Sequence, residues 1–122
     1  MTTKQRVQQL IDYVHAGRML EAIEEFYADD VVMQENLAAP TVGHAANLER
    51  ERAFYGSVDL HQLRAQAFVV DGDRATINWL LEFTGTDGKR YRIDEMATQT
   101  WRGDKIVHER FIYDTASMLA AA

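Results

Sequence analysis

The 122-residue chain suits one domain, and 47% apolar with 26% charged residues supply a packed core and exclude intrinsic disorder. Thirteen basic against nineteen acidic residues leave a formal charge of −6. That balance argues against nucleic acid or an anionic membrane as a partner, because both need a basic footprint, and the lack of cysteine excludes disulfides, thiol catalysis and cysteine-based zinc sites.

The N-terminal stretch MTTKQRVQQL lacks the apolar core of a signal peptide, and no apolar run approaches the roughly 20 residues that span a bilayer. A cytoplasmic protein is the expectation. Val7, Leu10, Ile11 and Val14 recur at the helical period, Thr2 and Gln5 are spaced like a capping box, and Gly17 is a plausible stop. A second helix follows, with Met19, Ile23 and Phe26 on one face; Ala28-Asp29-Asp30 is expected to break it.

The stretch VVMQEN, Val31 to Asn36, then reads as a strand. Alternation puts Glu35 on the same face as Val31 and Met33. Either the strand has reached water at Glu35, or Glu35 looks into a cavity. LAAPTVGH, with the only proline, reads as a loop, and AANLERERAFYG as a third helix ending at Gly56.

After Gly56 the period changes to two. Four long strands are separated by turn signals at Asp71-Gly72-Asp73, Thr84 to Gly88 and Arg102-Gly103-Asp104. Helices first and an antiparallel meander afterwards give an α+β fold, with helices packed on one sheet face. The opposite face is only half polar, with Leu80, Met96, Thr98, Thr100 and Ile112 on it, so a homodimer through that face is expected.

The register of the last hairpin decides what faces inward. A three-residue loop at Arg102-Gly103-Asp104 sets Trp101 opposite Lys105, Gln99 opposite Val107, Ala97 opposite Glu109 and Glu95 opposite Phe111. That choice puts Trp101, Val107, Phe111 and Tyr113 on one face. A two-residue loop would shift the pairing by one and set this apolar set against threonines. The inner face then carries Glu95, Gln99 and Glu109 among apolar neighbours.

FYADDVVMQE after two helices, VGHAANLERERAFY, the segment from Asp71 to Asp114, and their order resemble the SnoaL-like family of the nuclear transport factor 2 superfamily. The resemblance covers nearly the whole chain, as one domain over 1–122. It implies a cone: a curved, mostly antiparallel sheet wrapped around three N-terminal helices, with an apolar pocket at the open end, usually in a dimer. It is weak for chemistry, because the superfamily hosts isomerases, cyclases, dehydratases, epoxide hydrolases and proteins that catalyse nothing.

Around YADD the chain is similar to the ketosteroid isomerase branch. The resemblance implies Glu35 as general base, Tyr13 as a hydrogen-bonding donor and Tyr55 as a second pocket tyrosine. Such chemistry needs a carboxylate to move a proton beside a carbonyl and donors to hold the oxyanion. Ala97 stands where that branch keeps a protonated aspartic acid, a departure from its pattern. In the register above Glu109 faces Ala97, and burial would raise its pKa and let it act as a neutral donor in that place. Arg92-Ile93-Asp94 is similar to the Arg-x-Asp element of limonene epoxide hydrolases, which lies on an earlier strand there; a solvated or dimer-face pair is the expectation.

His15, His44, His61 and His108 share no metal-ligand spacing, and no phosphate loop or nucleotide fingerprint appears. The expectation is therefore no metal and no cofactor. Two functions follow. One is a cofactor-free isomerase, cyclase or dehydratase acting on a small, largely apolar carbonyl compound. Its catalytic set is Glu35, Tyr13 and Glu109. Tyr55, Trp79, Phe111 and Tyr113 form its walls, and Glu95 and Gln99 orient polar substituents. The other is a non-catalytic ligand-binding or dimerisation module on the same fold.

Overall fold

The first helix, α1 (Thr3–His15), starts where its capping box places it. The Thr2 hydroxyl accepts from the Gln5 amide at 3.1 Å and the Gln5 side chain accepts from the Thr2 amide at 2.9 Å. Gly17, at φ 77°, turns the chain past the helix end in a conformation that costs other residues a clash. Helix α2 (Met19–Phe26) buries Ala22, Ile23 and Phe26 against Val7, Leu10 and Ile11 of α1. Arg6 is buried as well: its guanidinium lies 4.3 Å from the centroid of the Phe26 ring and donates to the Asp104 carbonyl at 3.1 and 3.2 Å.

The computed structural model describes residues 1–119. Its strands are β1 (Tyr27–Glu35), β2 (Thr41–Val42), β3 (Asp59–Asp71), β4 (Arg74–Thr84), β5 (Arg90–Arg102) and β6 (Lys105–Ile112), with α3 (His44–Ser57) between β2 and β3. They form one sheet in the order β2-β1-β6-β5-β4-β3. Every pairing is antiparallel except β1 with β6, so the sheet is mixed. Bulges in β3 between Leu60 and Gln62 and between Ala65 and Ala67 bend the strand, which helps the curved sheet wrap the helices. Among the described residues no helix is long and apolar enough to cross a membrane.

Three expectations are corrected. Ala28-Asp29-Asp30 does not precede the strand: β1 begins at Tyr27, directly after α2. The register against β6 shifts between Tyr27 and Val32, and the two consecutive aspartates occupy that irregularity, both exposed. The loop LAAPTVGH contains a short strand, since Thr41 and Val42 pair with Met33 and Val32.

The third correction is the hairpin register. The turn has two residues, Gly103 and Asp104, with Arg102 opposite Lys105 and Trp101 opposite Ile106. A bulge at Val107 then brings Thr100 opposite His108, Gln99 opposite Glu109 and Ala97 opposite Phe111. Glu109 therefore faces Gln99 and not Ala97. The shorter turn displaces the pairing by one and the bulge by one more, so side chains beyond the bulge keep the faces expected for them, while Ile106 before it does not. Ile106, with no exposed area, fills the core position expected for half-buried Val107.

The core lies between α1, α2 and the inner sheet face. Phe26, Val31, Met33, Ile77, Ala97, Trp101 and Ile106 are each at most 2% exposed. Burying a large apolar side chain of this kind contributes about 1.5–3 kcal/mol.

Candidate active site

Helix α3 buries no apolar side chain fully, unlike α1 and α2. Only Asn47 is fully buried on it, tied by its side-chain amide to the carbonyls of Gly43 at 2.8 Å and Thr41 at 3.0 Å. A cavity of about 410 Å3 remains between α1, α2, α3 and the sheet. Leu10, Ile23, Phe54, Leu63, Trp79, Leu81, Phe83 and Phe111 give it a mainly apolar wall. Set into that wall are Glu35, Glu51, Glu95 and Glu109, the guanidinium of Arg50, and the phenols of Tyr27, Tyr55 and Tyr113.

Glu109 is 1% exposed and fully engaged. Gln99, its cross-strand neighbour, donates to Glu109 Oε2 at 2.6 Å, and the Tyr27 hydroxyl donates to Oε1. Trp101 Nε1 donates to Gln99 Oε1 at 3.1 Å, which fixes the amide so that its NH2 points at the carboxyl. Burial outweighs these two donors and pushes the Glu109 carboxyl up to about 7. Burial, then the charge of Glu109, also holds the Tyr27 phenol well above its ordinary value, so Tyr27 is a neutral donor.

Glu95 differs. It is half-buried because it faces the cavity, and its carboxyl has no hydrogen-bond or ion-pair partner among the described residues. The desolvating wall pushes it up to about 8, with smaller contributions from the charges of Glu35, Glu109 and Glu51. Trp79 is its cross-strand partner. The Tyr55 hydroxyl likewise has no protein partner among the described residues, and burial raises its pKa well above the ordinary phenol value.

Arg50 sits between Glu35, at 3.2 Å, and Glu51, at 3.1 Å. Its Nε is buried and has no partner among the described residues. Glu51 is raised by burial, against the opposing pull of Arg50. The Glu35 side chain is 40% exposed, at the end of β1 opposite Phe111, where Asn36 at φ 48° stops the strand. Both readings of VVMQEN thus meet: Glu35 lines the cavity and also reaches water.

Of the residues singled out in the sequence, the cavity brings together Glu35, Tyr55, Trp79, Glu95, Glu109, Phe111 and Tyr113. Gln99 stands behind Glu109. Tyr13 is not among the lining residues: it packs edge-on against Phe26 with centroids 5.0 Å apart, beneath the Arg18 guanidinium. Arg92 is exposed and pairs with Glu82 at 3.4 Å, while Asp94 accepts from Asn78 at 2.6 Å on the outer sheet face. Tyr27, Arg50 and Glu51 escaped the sequence reading. Starting the strand at Tyr27 would have found the first, and the four-residue spacing of Glu51 and Tyr55 puts both on one helical face.

The SnoaL-like domain model matches residues 7–109. No curated protein sequence matches the chain. Among solved structures, a Mesorhizobium loti protein named for a SnoaL-like polyketide cyclase is similar at 23% identity, covering 93% of this chain and 100% of that one with a TM-score of 0.86. A Catenulispora acidiphila protein with a ketosteroid isomerase-like fold, in complex with trimethylamine, shares 16% identity over 97% of this chain and 91% of that one, TM-score 0.77. A Mycobacterium tuberculosis epoxide hydrolase shares 14% identity over 96% and 87%, TM-score 0.77. With the family model spanning most of the sequence and the cone fold shared with these structures, the chain belongs to the SnoaL-like domain family.

Proposed function

We propose that the chain binds a small, largely apolar carbonyl compound in this cavity and moves a proton on it, as an isomerase, cyclase or dehydratase does. The observation that carries the reading is a pair of unpartnered polar groups, the Glu95 carboxyl and the Tyr55 hydroxyl, facing one apolar cavity. A carboxyl with a pKa near the working pH is suited to both taking and returning a proton. In this reading the Glu95 carboxylate removes the proton from the carbon beside the carbonyl, and that C–H electron pair becomes the enolate. Tyr55, a neutral phenol, donates to the enolate oxygen. The protonated Glu95 then returns the proton to a carbon of the same molecule. Glu109, clamped by Tyr27 and Gln99, sets the field around Glu95.

Glu35 and Tyr13 carry less of this proposal than Glu95 and Tyr55. Arg50 neutralises Glu35, and Tyr13 does not line the cavity. The trimethylamine in the Catenulispora structure is a ligand of that protein; it supports a small-molecule reading of this cavity.

The test is exchange of deuterium from solvent into cyclic and aryl ketones, followed by nuclear magnetic resonance. Exchange is expected to rise with pH and level off above about 8, and to fall at least about a hundredfold in Glu95→Gln, the usual scale of a lost general base. Ketones that saturate the cavity yet exchange no faster than in buffer would overturn catalysis. They would leave a binding module, the reading that Ala97 favours.

A further inference from the structure

The four cavity carboxyls, Glu35, Glu51, Glu95 and Glu109, face a single guanidinium, that of Arg50. Arg50 is spent on Glu35 and Glu51, and Glu109 is held by two neutral donors. Among the described residues Glu95 is left with no cation and no donor, directly across the strand pair from Trp79. A lone carboxyl in an apolar wall has two ways to avoid an uncompensated charge: it keeps its proton, or an occupant brings a positive charge. Tyr55, Phe111 and Tyr113 line the same cavity, and aromatic faces attract cations through their ring quadrupoles.

We infer that the occupant carries an ammonium group, bound beside Glu95 and against the aromatic wall, on an otherwise apolar body. This inference rests on the small-molecule reading above and narrows its substrate class to small carbonyl compounds that carry an amine. It also supplies a coupling. The groups that surround Glu95 are Glu35, Tyr27, Arg50, Glu51, Tyr55, Glu109 and Tyr113, and their carboxylates disfavour its ionisation. An arriving ammonium reverses that balance. Glu95 loses its proton to solvent as the amine binds, so the amine itself charges the base that acts on it.

Titration calorimetry with choline and with dimethylbutanol, its neutral isostere with carbon in place of nitrogen, tests the inference. At pH 7 choline is expected to bind at least about tenfold tighter, the scale of a desolvated cation–π contact. Heats measured in buffers of different ionisation enthalpy should report release of up to about one proton. Glu95→Gln should abolish the proton release and lower the ratio of choline to dimethylbutanol affinity at least about threefold, leaving the share owed to the aromatic faces. A choline affinity equal to or weaker than that of the alcohol, or an affinity ratio unchanged by Glu95→Gln, overturns the amine assignment alone. If neither compound nor any ketone binds, the small-molecule reading fails and takes this one with it.

Discussion

Replacing Glu109 with glutamine should leave stability unchanged in acid and raise it progressively toward neutral pH. The Glu109 carboxyl rises from 4.5 to about 7 on folding, mainly through burial. At about 1.4 kcal/mol for each tenfold change in proton affinity, ionising it in the folded chain costs about 3 kcal/mol relative to the unfolded one. Below pH 4.5 the group is neutral in both states and the cost vanishes. Between pH 4.5 and about 7 the unfolded chain has released the proton and the folded chain holds it, so stability falls across that window and levels off once both are ionised. Glutamine imitates the neutral acid: its carbonyl accepts from Gln99 and its amide faces the Tyr27 oxygen. Urea unfolding at pH 4.5, 6, 7 and 8 should therefore find Glu109→Gln near wild type at the acid end and up to about 3 kcal/mol more stable at pH 8. Glu95 gives both proteins a slope of the same sign, which the difference between them largely removes. Parallel stability profiles, or a variant that loses ground to wild type as pH rises, would refute the account of Glu109 as a carboxyl stranded in an apolar wall.

Tyr27→Phe removes a donor that favours ionised Glu109, so the Glu109 carboxyl should titrate higher still in carbon-13 spectra of the glutamate side chains. Arg50→Met should raise the Glu51 pKa and cost about 1–2 kcal/mol at pH 7, because Glu35 and Glu51 lose their shared cation in a half-buried setting; unchanged Glu51 titration would show the pair to be irrelevant. Met96 and Ile112, 45% and 42% exposed on the outer sheet face, are proposed to be covered by a second copy. Sedimentation should then give twice the chain mass for wild type, and Met96→Glu with Ile112→Lys should yield monomer; a monomeric wild type would end the dimer proposal.

Local pattern was enough to define the framework. A capping box, a helical stripe and Gly17 determine α1 whatever surrounds it, because those interactions span four residues or fewer. The change of period from 3.6 to two at Gly56 determines where helices stop and the meander starts, and parity puts Glu95 with Gln99 on one face of the fifth strand and Glu109 with Phe111 on one face of the sixth. The face survived an error of two in register, since two steps along a strand return a side chain to the same side. What parity does not carry is the partner. Only the folded hairpin, with its two-residue turn and its bulge at Val107, set Glu109 against Gln99 and left Ala97 to Phe111.

The character of each acid was also a tertiary outcome. Glu35 and Glu95 read alike in the sequence, as carboxylates on apolar strand faces. Arg50, fifteen residues from Glu35 along the chain, pairs with one and not the other. Tyr27 reaches Glu109 across 82 residues, through the parallel pairing of the first strand with the last. Desolvation and charge depend on what the rest of the chain places within a few ångströms. A sequence can therefore say which side chains face inward, while the fold decides which of them stays unpartnered and available to a ligand.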